Sequence, residues 1–210
     1  GLAWAPDGKT IFVSGGNRGS GEKNHAIIHV LPFTEGKVDM AAAKTLDDPA
    51  RGKNAWSGLS CHPAKPLLYA CNRTAGEIVA FDVAAGTVAG RVKVERDPYG
   101  LAISPDGATL YCTNWSSDSL SIIDTAAMKM TQAVKAGDNP NDLVLLPDGR
   151  LFVCTSEDNS VRSFDTASRR FTERIVTSLT PNAPEGSMPN ALTYDPAAKR
   201  LYVANGDNYN

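Results

Sequence analysis

The sequence predicts an all-β fold, a β-propeller of four-stranded antiparallel blades. Three observations predict it: one hairpin motif is written five times, its turn recurs with a period in the low forties, and each complete copy is followed by an alternating strand that closes on Asp.

The clearest copy of the hairpin is Gly100 to Asn114, GLAISPDGATLYCTN. Leu101 to Ser104 is a short apolar run suited to a buried strand, Pro105-Asp106-Gly107 is a turn, and Leu110 to Thr113 is the returning strand. Pro presets φ for the first corner, while Asp and Gly tolerate the tight backbone that follows. The other copies are GLAWAPDGKTIFVSG from Gly1, GLSCHPAKPLLYACN from Gly58, DLVLLPDGRLFVCT from Asp142 and ALTYDPAAKRLYVAN from Ala191. Their turn prolines, Pro6, Pro63, Pro105, Pro147 and Pro196, are spaced by 57, 42, 42 and 49 residues. A third strand follows at Glu77 to Asp82, Ser119 to Asp124 and Ser160 to Asp165, and a fourth after a turn of small residues. Each blade is then two hairpins, with strands one to four running from the axis outward. The expected blades are 1–57, 58–99, 100–141, 142–190 and an incomplete 191–210.

Five first hairpins face only four second hairpins, since Gly206-Asp207-Asn208 stands where the fifth outer hairpin would start. The expectation is an open arc of about four and a half blades belonging to a longer ring, with a small closed ring as the alternative.

At 210 residues, 42% hydrophobic and 21% charged, the chain has material for a sizeable core. A formal net charge of −2 with scattered Lys and Arg supplies no basic field for a phosphate backbone, so no nucleic-acid partner is expected. No apolar run approaches the roughly 20 residues of a membrane span, and no membrane-spanning segment is expected in this stretch.

The recurring Asp82, Asp124 and Asp165, like Asp7, Asp106 and Asp148, stand where a turn needs a side chain to bond its own backbone, and they are read as structural. Asn72, Asn114 and Asn205 are read as turn caps. Cys61, Cys71, Cys112 and Cys154 have no CxxC spacing, and all fall in predicted strands. They are read as buried free thiols; Cys71 and Cys154 share a repeat position, but in blades that are not neighbours, which disfavours pairing. There is no nucleophile elbow, zincin motif or phosphate loop. The run Gly15 to Gly21 reads as a flexible loop, and His25, His29 and His62 as partly buried structural groups.

Strand order locates the site. In a four-stranded blade, the loop entering the innermost strand and the loop between strands two and three lie on one face, around the mouth of the channel. The entering loops are expected at Asn54 to Ser57, Asp97 to Tyr99, Asn139 to Asp142 and Ser187 to Asn190. The second set holds Asn17-Arg18, Asn72-Arg73, Asn114-Trp115, Glu157-Asp158 and Asn205 to Asp207. The candidate ligand-binding rim is therefore Trp56, Tyr99, Trp115, Asn141, Asp142, Glu157, Asn190 and Asn205. Its aromatics either stack on a ligand or pack locally beside the prolines.

SPDGATLYCTN and YDPAAKRLYVAN resemble the repeat of the YVTN β-propeller family, which is related in architecture to the lactonase and gluconolactonase propellers. DPYGLAISPDGATLYCTNW from Asp97 and APEGSMPNALTYDPAAKRLYVANGDN from Ala183 are similar to a bacterial secreted subgroup. In that subgroup a seven-bladed propeller precedes a metal-dependent phosphoesterase domain. The chain departs from the pattern where Cys replaces Val or Ala, and where the second and fifth copies lack the Asp-Gly turn. The resemblance implies a periplasmic or extracellular binding or scaffolding segment of a seven-bladed ring. Its partners would be a small molecule or protein at the channel mouth and, within the same protein, missing blades or a second domain. The competing implication is a lactonase-type hydrolase with a divalent cation such as Ca2+ in the channel, for which Asn141, Asp142, Glu157 and Asn190 are the oxygen donors. The same Asn and Asp residues are also ordinary turn formers.

Overall fold

The strands read from the sequence carry apolar residues on both faces, and such strands are stable only when both faces are covered. A computed structural model, which describes residues 1–18, 25–48, 50, 54–178 and 187–206, shows how the chain achieves this. Gly19, Ser20 and Gly21 of the glycine-rich run, Asp207 of the last rim loop, and the side chains of Asn17, Arg18 and His25 lie outside the described residues.

The first sheet contains β1 (Leu2–Trp4), β2 (Thr10–Arg18), β3 (His25–Thr34), β4 (Lys37–Val38) and β5 (Lys44–Leu46), with β4 and β5 both pairing along β3. Three four-stranded antiparallel sheets follow. They are β6 (Trp56–Cys61), β7 (Leu67–Asn72), β8 (Glu77–Asp82) and β9 (Thr87–Lys93); β10 (Pro98–Ile103), β11 (Thr109–Asn114), β12 (Ser119–Asp124) and β13 (Lys129–Lys135); and β14 (Pro140–Leu145), β15 (Arg150–Thr155), β16 (Ser160–Asp165) and β17 (Arg170–Val176). A two-stranded sheet, β18 (Pro189–Asp195) and β19 (Arg200–Asn205), ends the described chain. In each four-stranded sheet spatial order equals chain order, which makes every sheet a propeller blade. The innermost strands touch in succession, β1 to β6, β6 to β10, β10 to β14 and β14 to β18.

The turn chemistry behaves as the motif requires. Gly107 donates its N–H to the Ser104 carbonyl at 2.8 Å with φ 74°, while Asp106 Oδ1 accepts from Ala108 N at 2.9 Å. Asp82, Asp124 and Asp165 likewise accept from Ala85, Ala126 and Ser168. The second copy lacks Asp-Gly, and there the ring of His62 substitutes: its Nδ1 accepts from Ala64 N and Lys65 N, each at 3.1 Å.

Strand alternation divides the core into slabs between blades. Leu68 and Ala70 of β7 face the first blade and pack with Phe12, Ile28 and Trp56. Tyr69 and Cys71, one residue out of phase, face the third blade and pack with Leu110, Cys112 and Ile123. Tyr111 and Ile122 then meet Leu151, Val153 and Phe164 of the fourth blade, and Phe152 and Cys154 meet the fifth. A polar clamp joins the first two blades. Arg91 reaches Asp48 at 2.6 Å and Glu77 at 3.1 Å, both carboxylates being buried.

The innermost strands start earlier than the sequence reading placed them. β6, β10, β14 and β18 begin at Trp56, Pro98, Pro140 and Pro189, and a register shift lies between each of these residues and Leu59, Leu101, Leu143 and Ala191 respectively. Gly58 and Gly100 sit in these irregular stretches because a Cβ there would collide with a carbonyl of the next blade, Tyr99 for Gly58 and Asn141 for Gly100.

Candidate functional site

The rim is built by a repeated pair of contacts. The residue after each second strand donates its N–H to the carbonyl of the residue before the innermost strand: Arg73 to Ala55 at 2.9 Å, Trp115 to Asp97 at 2.9 Å, Ser156 to Asn139 at 3.3 Å and Gly206 to Met188 at 2.9 Å. The entering loop and the loop between strands two and three are thereby tied on one face of every such blade. In three blades the accepting residue adopts a left-handed backbone, Asp97 at φ 58°, Asn139 at φ 50° and Met188 at φ 38°. This conformation turns the chain sharply before the proline that opens the strand.

Between the second and third blades the rim is held by charge. Arg73 grips Asp97 through two contacts, Nη2 to Oδ2 at 2.9 Å and Nε to Oδ1 at 2.5 Å, and Ser116 Oγ donates to Oδ2 at 3.1 Å. The Arg73 hydrogen bonds hold the Asp97 carboxyl below the ordinary carboxylate range. The Arg73 guanidinium also lies 5.1 Å from the Tyr99 ring centre, so one face of that exposed ring is covered.

The sequence-derived rim residues separate into groups. Trp56 is 7% exposed; its Nε1 donates to the Ala26 carbonyl at 2.9 Å and its ring meets Phe81 edge-on at 5.5 Å, so it packs locally. Trp115, half-buried, opens a short 3-10 turn (Trp115–Ser117), with its carbonyl accepting from Asn139 Nδ2 at 3.1 Å. Trp115, Asn141, Glu157 and Asn190 border one cavity of about 300 Å³. Met188 and Gly206, from the expected rim loops, and Ser156, which lies just outside them, complete its wall. Tyr99 and Asp142 instead border a channel-side cavity of about 360 Å³, floored by Gly58 and Gly100, and Asn190 lies on both cavities. Asn205 borders neither; its Nδ2 donates to the Thr177 carbonyl at 3.2 Å.

Local bonding decides which of these groups can turn to a ligand. Asn141 is buried and engaged at both ends, Nδ2 donating to the Pro189 carbonyl at 3.2 Å and Oδ1 accepting from Asp142 N at 2.6 Å. Asp142 Oδ2 accepts from Leu192 N at 2.7 Å, and burial pushes its carboxyl above the ordinary range. Glu157 and Asn190 are exposed. Among the described residues no group of three or more His, Cys, Asp or Glu is placed to hold a metal. No helix among them is long and apolar enough to cross a membrane.

A third cleft, about 350 Å³, lies at the opposite end, between the first-hairpin turns of the first two blades. Ala5 and His62 both line it, at equivalent positions before their turn prolines. Burial, with Lys65 adding to it, lowers the His62 pKa, in keeping with a neutral ring accepting at Nδ1.

The pattern of the family described as "Lactonase, 7-bladed beta-propeller" matches residues 20–131, just over half of the chain. That of "WD domain, G-beta repeat" matches residues 132–165. No curated protein matches the chain. Among solved structures 1243 chains match, a breadth that goes with a fold rather than with one activity. One of them, described as Kuenenia stuttgartiensis hydrazine synthase, superposes with a TM-score of 0.76 at 23% identity over 96% of this chain. The chain spans 54% of that protein's length, and the likeness is one of fold. The blade topology and the match together show that this chain belongs to the lactonase seven-bladed β-propeller family.

Proposed function

We propose that the chain is a binding segment of a β-propeller that takes a small molecule or a protein segment at the channel mouth, with Trp115, Glu157 and Asn190 as the contacting groups. The observation that carries this reading is the convergence of these side chains with Asn141, from three successive blades, on one cavity of about 300 Å³. An indole, an amide and a carboxylate around a concavity of that size suit a small polar ring or a short peptide turn. Crystals soaked with a panel of aldoses and aldonolactones test it. Density against Trp115 and Asn190 is expected, and density found only elsewhere would overturn the assignment.

At the level of the whole protein, the resemblance of the stretches from Asp97 and Ala183 supports a secreted bacterial protein. Its phosphoesterase domain and remaining blades would lie outside this segment, in the periplasm or outside the cell. Sequencing the coding region on both sides should reveal further hairpin repeats and a metal-ligand domain. A reading frame that closes near Asn210 would sink this part of the proposal.

The family match favours a second reading, hydrolysis of a lactone with help from a divalent cation such as Ca2+. The donor set fits in part. Asn190 borders both cavities, but Asp142 and Glu157 open onto different ones, so the ion would take Asn190 with one of the two carboxylates, and Asn141 would first have to release Pro189 and Asp142 N. Two donors fall well short of the six to eight oxygens Ca2+ takes, so water or substrate oxygens would complete the shell. When bound, the ion would polarise the lactone carbonyl. Proton release from an aldonolactone at fixed pH, with and without Ca2+, measures this: an enzyme opens the ring faster than buffer and loses the increment in Asn190→Ala. A rate equal to buffer removes the reading.

A further inference from the structure

We propose that Cys71 and Cys112 are an oxidisable pair that forms a disulfide across the interface between the second and third blades. Their Sγ atoms lie 3.8 Å apart. Both residues are fully buried in one apolar slab with Tyr69, Ile78, Leu110 and Ile123. The arrangement follows from register. Cys71 immediately precedes the last residue of β7, while Cys112 stands two residues before the end of β11, and a one-residue offset in a strand exchanges faces. Cys71 therefore points out of the second blade towards the third, and Cys112 points back. Cys154 shares the position of Cys71 but faces the fifth blade, and Cys61 packs at the first interface, so neither competes.

All four cysteines are free thiols in this structure, and closing the pair to about 2.05 Å asks the two sulfurs to approach by about 1.8 Å. The reaction is thiol–disulfide exchange with a small-molecule or protein disulfide as oxidant. The thiolate of one cysteine attacks the oxidant, forming a mixed disulfide and releasing one thiolate. The second cysteine, having lost its proton, displaces the other thiolate. The oxidant leaves as two thiols, carrying two electrons and the two cysteine protons. Burial raises the Cys112 thiol well above its ordinary range, so exchange is slow once the blades are packed and belongs to folding, before the slab closes. The bond would close a loop of 41 residues between blades whose innermost strands already touch at Gly58 and Tyr99.

Refolding the chain with a mixture of reduced and oxidised glutathione, then denaturing, alkylating and weighing it, tests the pair. Two of the four thiols should be protected, peptide mapping should join the peptides containing Cys71 and Cys112, and the midpoint of thermal unfolding should rise by roughly 5–10 °C over the reduced chain. Cys61→Ala and Cys154→Ala keep the cross-link, and Cys71→Ala and Cys112→Ala lose it. The mapping is read on the unsubstituted chain, so it does not depend on a variant folding. Four alkylated thiols in natively folded, oxidatively refolded protein would overturn the proposal, as would a cross-link to Cys61 or Cys154.

Discussion

Gly100 of the third blade packs against the backbone carbonyl of Asn141 in the fourth, so closely that any Cβ would overlap it, and Leu143 Cδ2 would lie 2.7 Å from the same atom. The Gly100 backbone does not need a left-handed conformation; the requirement is space. Gly100→Ala should therefore cost about 2–3 kcal/mol through overpacking against backbone that cannot yield. Gly86, at φ 69° with nothing near its missing Cβ, should cost only about 1 kcal/mol on the same change. Urea denaturation of the two variants checks the order; equal losses would mean that the blades tolerate wider spacing.

Thr113 bridges the same interface. Its hydroxyl accepts from Gly100 N at 2.8 Å and donates to the Asn141 carbonyl at 2.5 Å, with no exposure to solvent. Thr113→Val leaves both backbone groups buried without that partner and should cost about 1–3 kcal/mol, while Thr113→Ser should cost less. Denaturant midpoints of the pair separate lost hydrogen bonding from lost packing.

The clamp of Arg91 on Asp48 and Glu77 rests on two carboxylates with at most 3% exposure. Arg91→Ala removes the cation that faces two buried carboxylates, and breaking such a buried pair typically costs about 3–5 kcal/mol. Replacement by Lys should recover part of the loss, because one ammonium cannot span both partners as the guanidinium fork does. Thermal unfolding of the two variants reads this.

Asp142 carries a pH signature. Its folded pKa is raised by burial, so the folded chain holds this proton to higher pH than the unfolded chain does. The group's contribution is thus fully present below the ordinary Asp pKa and is lost as pH rises through the folded value. Asp97, whose pKa is lowered by Arg73, acts with the opposite sign, its contribution fading as pH falls. Asp142→Asn keeps an acceptor for Leu192 N without the charge. Relative to wild type it should gain stability as pH is raised from the ordinary Asp range to neutrality. Parallel stability profiles for the two proteins would contradict the burial of that carboxylate.

What was legible in the sequence was whatever repeats. The hairpin copies, the Asp-anchored turns and the third strands from Glu77, Ser119 and Ser160 follow from local chemistry acting in register with a period. The rim was legible as a face, since strand order alone places its loops together. What escaped depends on which blade a side chain leans towards. Trp56 occupies the position held by Pro98, Pro140 and Pro189, and as an aromatic beside the rim it read equally as a ligand platform or as core. Only the neighbouring Phe81 and the Ala26 carbonyl decide for core. Asp142 and Glu157 read as one donor set, yet they open onto different cavities because one lies in an innermost strand and the other in a turn. The approach of Cys71 to Cys112 was encoded in a one-residue offset between two copies of equal length, visible whether they are aligned by turn or by strand end; only Cys154, in the shorter fourth copy, matches Cys112 by turn and Cys71 by strand end.

The rim cavity can be tested by titrating Trp115→Ala and Asn190→Ala beside wild type, using calorimetry with an aldonolactone from the soaking panel that gives density. Both substitutions remove cavity contacts and leave the interblade slabs intact, so the account predicts at least a tenfold loss of affinity, about 1.4 kcal/mol, with unchanged unfolding midpoints. Affinity equal to wild type in both variants would contradict the claim that Trp115 and Asn190 form the ligand site of this propeller.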